Sequence, residues 1–444
     1  MLYVGGRANQ VGFLFQFSII IGIGLTSCGK LPDYQVLGTQ DAFVASAEVN
    51  PNIDLLFVID NSGSMARDQQ VLADSFSDFI SNFTDKNLQY NIGIISTDSC
   101  PNDSTCTSNH WNPRASSGTR YPGILNSGRG SLLTRYDING TFFPNAASVP
   151  VSYNPLKFLA WDVDSNPATA KALTIARFTN NSELGVTASG SEAPLSTITS
   201  AIAQKDVYND GFFRASAFTA IIIVTDEDES YGWAGTPSAG GHSTQDYLSG
   251  RVAESCNGLT TLQCEALGED SGGTLNSSDQ NARVGAFFTA LESLKGTGLD
   301  NFSLNVVAVP HDSTSCVIDS VPETADNFEP ALTLYRVVED VKSTYGTLGS
   351  GKEKATFTDI CTNFAPALDQ IASDIVEANA RYQLDQPPAN PAEVYVYVNG
   401  LQVTRSIVNG WDYDEVDNAI QFYGTAVPSV GDTVSIDYVP GAPI

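Results

Sequence analysis

The run Leu55-Leu56-Phe57-Val58-Ile59-Asp60-Asn61-Ser62-Gly63-Ser64-Met65 opens as apolar residues with strand character and stops abruptly at a carboxylate, two hydroxyls and a glycine. An unbroken apolar run suits a central parallel strand covered on both faces, and the residues beyond it have the pattern of an amphipathic helix. Open α/β sheets bind their ligands at the carboxyl ends of such strands. Asp60, Ser62 and Ser64 alternate there and offer one charged and two neutral oxygens, which is chemistry for a hard cation such as magnesium. Gly63 lets the loop fold tightly around it.

Aspartate and serine are also common cap and loop residues, so this spacing gains its weight from a second run. Ala220-Ile221-Ile222-Ile223-Val224-Thr225 ends in the same way, at Asp226-Glu227-Asp228-Glu229. Two buried strands then deliver acids to one sheet edge. In their order and contexts these stretches resemble a von Willebrand factor type A domain with its metal-ion-dependent adhesion site. The resemblance implies a doubly wound, mostly parallel α/β sheet. It further implies that Ser62 and Ser64 bind Mg2+, or Ca2+ or Mn2+, directly, while Asp60 and Asp226 hold its waters and balance its charge. Type A domains supply a third hydroxyl from a threonine counted back from a helical leucine. Matching that leucine to Leu195 puts Ser189 on the threonine position, with Ser191 as its neighbour and Thr187 as a weaker candidate. Either serine would serve equally well as a helix cap. The vacant metal position would accept a carboxylate from a protein ligand.

The segments Asn209-Asp210-Gly211-Phe212-Phe213-Arg214 and Thr225-Asp226-Glu227-Asp228-Glu229-Ser230 look like the type A variant of exported bacterial lipoproteins. Asp228 and Glu229 are candidates for a second cation, calcium by preference, set against a reading as a solvated acidic loop. Residues 1–27 carry Arg7 and an apolar segment from Val11 to Leu25, of signal-peptide length. It ends in Leu25-Thr26-Ser27-Cys28-Gly29, which resembles the bacterial lipobox, so Cys28 is the expected lipid acceptor. Gly29 in place of an aspartate favours the outer over the inner membrane by analogy.

With Cys28 set aside, Cys100, Cys106, Cys256, Cys264, Cys316 and Cys361 leave an even number, which reads as disulfides in an oxidising compartment. Proximity favours Cys100 with Cys106 and Cys256 with Cys264, leaving Cys316 with Cys361. No tight Cys or His pair supports zinc. The 444 residues carry 22 basic and 50 acidic side chains, a net charge of -28. That surface repels phosphate backbones and excludes nucleic acid as an expected partner.

The expected organisation is a signal at 1–27, a tether at 28–50, a type A-like domain at 51–384 and a small β module at 385–444. Loop-rich insertions fall near 98–155 and 231–278. Asp385-Gln386-Pro387-Pro388-Ala389-Asn390-Pro391 reads as a linker. Asn399-Gly400 between two β-rich runs is a strong hairpin signal, and Asp412, Asp414 and Asp417 read as a further hairpin turn in preference to a calcium loop. His110, His242 and His311 lie in no motif that would activate a nucleophile, so no enzyme is expected. The reading is a lipid-anchored, metal-dependent adhesion or protein-binding protein. The alternative is an envelope-assembly lipoprotein in which the metal only stabilises the fold.

Overall fold

The computed structural model describes residues 52–441, apart from 85, 87, 98–131, 137–138, 140, 143–153, 155, 162–166, 187–191, 208, 230–276, 314–315, 319–320, 323–329, 349 and 430–431. The signal, the lipobox and Cys28, most of both insertions, and Cys100, Cys106, Cys256 and Cys264 lie outside the described residues. Among those described, no helix is long and apolar enough to cross a membrane.

The chain begins with β1 (Asn52–Ile59), α1 (Ala66–Thr84), β2 (Gln89–Ser96), β3 (Leu159–Ala160), α2 (Pro167–Ser182), α3 (Pro194–Ala203) and β4 (Phe218–Val224). It continues through α4 (Ser277–Lys295), β5 (Phe302–Ala308), the short pair β6 (Val317–Ile318) and β7 (Val321–Pro322), α5 (Leu332–Tyr345), β8 (Ala355–Asp359) and α6 (Ala365–Asn379). The C-terminal strands are β9 (Arg381–Gln383), β10 (Tyr395–Val398), β11 (Leu401–Val403), β12 (Gly410–Asp414), β13 (Ala419–Tyr423) and β14 (Val434–Asp437).

The fold is mixed α/β around a six-stranded sheet of order β3-β2-β1-β4-β5-β8. Its strands run parallel except β3, which is an antiparallel edge. β1 lies between β2 and β4, so the strand order reverses beside it, and the crevice at the carboxyl ends there is the topological switch point. Alternation sends Leu55, Phe57 and Ile59 towards α1, α2 and α6, and Leu56 and Val58 towards α3, α4 and α5. That two-sided burial is why the strand reads as an unbroken apolar run. Phe57 anchors one face edge-on against Phe76, Phe79 and Phe178, at ring separations of 6.2, 5.6 and 4.8 Å.

Two short pieces around the first insertion return to the outer edge of β2. Leu133 N donates to the Ile94 carbonyl and Trp161 N to that of Tyr90. A Cβ at Gly93 would run into Leu132 and Phe212, so only glycine admits this close approach.

The C-terminal module forms two three-stranded sheets, β11-β10-β14 and β12-β13-β9. β9, which lies before residue 385, pairs with β13. The stretch 385–391 is held by backbone hydrogen bonds. Leu384 N donates to Asn418 O, Ala389 N to Val439 O and Gly441 N to Pro387 O, which ties the stretch to the module at both ends. Asp412, Asp414 and Asp417 belong to the β12–β13 hairpin, and their carboxylates pair with Arg405 and Arg381. Cys316 and Cys361 form a disulfide that joins the segment after β5 to the segment after β8.

Candidate metal centre

The loop after β1 is built by hydrogen bonds from three directions. Asp60 N donates to the Val224 carbonyl at 3.0 Å, which sets the loop's first residue against the end of β4. Asp60 Oδ1 accepts from Ser62 N at 2.7 Å, the aspartate turn that brings the chain back on itself. Asp60 Oδ2 accepts from Thr225 Oγ1 at 2.6 Å. The Ser62 and Ser64 hydroxyls lie 3.2 Å apart, so the alternation read from sequence does gather them on one side of the loop.

Asp226 follows Thr225 at the end of β4 and is 3% exposed. The Ser64 hydroxyl hydrogen-bonds to it, but its Oδ1 is buried without a hydrogen-bond partner. Burial raises the Asp60 carboxyl to about 7, with the Glu227 charge adding to it and hydrogen bonds from Thr225 and Ser62 opposing it. Burial also lifts Asp226 well above the usual carboxylate range, and the neighbouring charge of Asp60 adds to the effect. Two buried carboxylates close together resist ionising together.

Gln69, one helical turn into α1, ties this loop to the next. Its Nε2 donates to Asp60 O at 2.7 Å and to Gly185 O at 3.0 Å, and its Oε1 accepts from Gly185 N at 3.2 Å. Ala193 N donates to Thr97 O at 2.8 Å. Gly185 and Ala193, which flank the candidate third-ligand stretch, are therefore both held at the edge formed by β1 and β2. Thr187, Ser189 and Ser191 themselves lie outside the described residues.

Asp228 and Glu229 are engaged otherwise than as a second cation site or a solvated loop. Asp228 accepts from Thr333 N at 2.8 Å and Leu334 N at 3.1 Å, in the first turn of α5. Glu229 accepts from Leu195 N at 2.7 Å and Ser196 Oγ at 2.7 Å, in the first turn of α3. Both are buried, and each satisfies amide donors that a helix start leaves unpaired, where its dipole also favours negative charge. Burial still raises Asp228 to about 6.

Gln69 and Thr225 were not among the site residues picked from the sequence. Thr225 closes the quoted apolar run, yet its contact with Asp60 spans 165 positions and no local pattern marks it. Among the described residues, no group of three or more His, Cys, Asp and Glu side chains is placed to hold a metal. The donor set at the switch point is instead two carboxylates with serine hydroxyls. These are hard oxygen donors, and with the unpartnered Asp226 Oδ1 they fit a hard dication.

The chain is similar to the pilus adhesin SpaC from Lactobacillus rhamnosus GG in its open conformation, with 12% identity and a TM-score of 0.36 over 87% of this chain and 38% of that one. It is similar to the pilus adhesin RrgA from Streptococcus pneumoniae, with 11% identity and a TM-score of 0.30 over 90% of this chain and 57% of that one. Proximal thread matrix protein 1 from the mussel byssus gives 9% identity and a TM-score of 0.30 over 77% and 50%. The chain thus spans under two fifths of SpaC. No protein-family model and no characterised relative matches it. At this degree of likeness, what those proteins do does not carry over.

Proposed function

We propose that the chain is an exported, lipid-anchored binding protein that uses a magnesium-type site at the carboxyl edge of its sheet to capture a carboxylate on a protein ligand. Ser62 and Ser64 are the direct ligands, Asp60 and Asp226 hold the ion's waters, and Ser189 or Ser191 completes the shell. The observation that carries the reading is the pair of buried carboxylates with one oxygen, Asp226 Oδ1, left without a partner. A bound dication would balance both charges and offer an open position to an acidic side chain. The role is binding, with the ligand's carboxylate taking the ion's open position. Export and the outer membrane rest on residues 1–27 and the lipobox at Cys28.

The rival is an envelope-assembly role in which the metal only fixes the loops. The loops are tied by the chain's own bonds, through Gln69, Thr225 and the Asp60 turn, which favours a site kept for a ligand. Calorimetric titration of the chain starting after Cys28 should give saturable magnesium or calcium binding that is lost in Asp60→Ala and Ser62→Ala. Capture of a partner, abolished by chelation and restored by magnesium, would support the ligand role. Unchanged capture with a lower melting temperature after chelation would support the structural one. If the parent chain binds no metal, the adhesion-site reading fails.

A further inference from the structure

The outer face of the β11-β10-β14 sheet carries chemistry that the metal centre does not use. In β10, Val396 is fully buried while Tyr395 is 45% exposed, so Tyr395 and Tyr397 share the outward face. Residues two apart on a strand stand about 7 Å apart, which sets the two rings side by side. The register flanks Tyr397 with Gln402 on β11 and Ser435 on β14, and sets Asp437 beside Tyr395.

Elsewhere on this module several polar side chains are spent on one another. Arg405 pairs with Asp412, Arg381 with Asp414 and Asp417, and Asn399 with Asp432. On this face the side chains of Tyr395, Tyr397, Gln402, Ser435 and Asp437 make no hydrogen bond or ion pair among the described residues. Asp437 Oδ1 is shielded from solvent as well as unpartnered.

We propose that this face binds an uncharged polysaccharide. A sugar ring has an apolar C–H face and a rim of hydroxyls. The exposed ring of Tyr395 and the half-buried ring of Tyr397 offer stacking surfaces, and the polar side chains around them meet the rim. Gln402 and Ser435 both donate and accept, and Asp437 only accepts, which suits hydroxyl partners. The charge selects within this chemistry. The face carries one carboxylate and no cation, on a chain of net charge -28, so anionic glycans and stacked nucleotides are repelled. Proline-rich peptides also dock on aromatics, but in grooves, and this is an open sheet face. The proposal is independent of the metal site.

The test is affinity electrophoresis of the full chain, with EDTA present, in gels containing hydroxyethyl cellulose, galactomannan, dextran or soluble starch. Retardation is expected in at least one of them. Tyr395→Ala and Tyr397→Ala should each weaken it roughly tenfold, the loss of one stacked ring. Tyr397→Phe should keep the ring and most of the affinity, and Ser62→Ala, although it removes the metal site, should leave the retardation as it is in the parent. Melting temperatures matched to the parent would separate lost binding from lost folding. No retardation in any gel, or full retardation of the Tyr395→Ala/Tyr397→Ala double variant, would overturn the proposal. So would retardation displaced by a proline-rich decapeptide, or retardation that needs magnesium and is lost in Ser62→Ala.

Discussion

Asp54 is fully buried at the amino end of β1, at the opposite edge of the sheet from the metal centre. Burial pushes its carboxyl up and Arg214 pulls it down, through Arg214 N at 2.7 Å and Nε at 2.8 Å. The same guanidinium reaches Asn52 Oδ1 and the Ile53 and Gln89 carbonyls, so one side chain pins the starts of β1 and β2 together. Arg214→Met would leave the buried Asp54 without its ion-pair partner and should cost about 3–5 kcal/mol in urea unfolding. Asp54→Asn with Arg214→Met should cost less than Arg214→Met alone, because no buried charge remains. Nearby, Lys295 donates to the Ala217 carbonyl, and burial lowers its pKa from 10.5 to about 8. Between those values the unfolded chain binds more protons than the folded one, so Lys295 makes stability rise with pH across that window. Below pH 8 its desolvation penalty is present in full. Unfolding curves of Lys295→Met against the parent from pH 7 to 11 should show this slope in the parent and its loss in the variant.

At the scale of elements, the loops of the carboxyl edge are held by devices of different reach. The Cys316–Cys361 disulfide closes a separation of 45 residues between the ends of β5 and β8. Removing it by a double Cys→Ala change should lower stability by about 2–4 kcal/mol in urea unfolding. Asp228→Ala strips α5 of its buried cap and should cost about 1–2 kcal/mol in the same assay. What the sequence made readable follows from the same geometry. β1, β2, β4 and β5 bury almost every residue, so each reads as an apolar run, and the helices over them show their stripes. β8 escaped because Thr356, Phe357, Thr358 and Asp359 sit half-buried at a sheet edge. β3 and β9 have two and three residues and exist only through distant partners. The Asn399-Gly400 turn was legible because both residues need positive φ, 53° and 77°. In the site, Asp60, Ser62, Ser64 and Asp226 stand in two short local patterns. Gln69 and Thr225 act through partners that only the folded sheet brings near. The carboxylates of Asp228 and Glu229 showed their charge in the sequence but not their caps, because the amides they satisfy begin helices 105 and 34 positions away.

At the scale of the whole molecule, the C-terminal module is bound into the α/β layer by more than apolar contact. One continuous apolar cluster runs from Phe79 and Phe83 on α1 through Leu368, Ile371 and Ile375 on α6 to Phe422 and Ile436 in the module. Polar contacts fix its register. Phe422 N donates to Ala380 O, Gln421 Nε2 to the Glu377 carbonyl at 2.6 Å, and Gly424 N to Glu377 Oε1 at 2.9 Å. Lys86, just past α1, donates from Nζ to the Val427 carbonyl at 2.7 Å. With Gln421 1% exposed, its bond to Glu377 forms where water does not compete, and breaking it leaves a buried carbonyl unpaired. The module and the helices α1 and α6 should therefore unfold together. Scanning calorimetry of the intact chain should show one transition spanning both, with calorimetric and van't Hoff enthalpies in agreement. Gln421→Ala should lower that single transition by about 1–3 kcal/mol and not detach a second one. Two transitions in the parent, the smaller one abolished by cutting the chain after residue 384, would instead mark the module as an independently folding body tethered to the sheet.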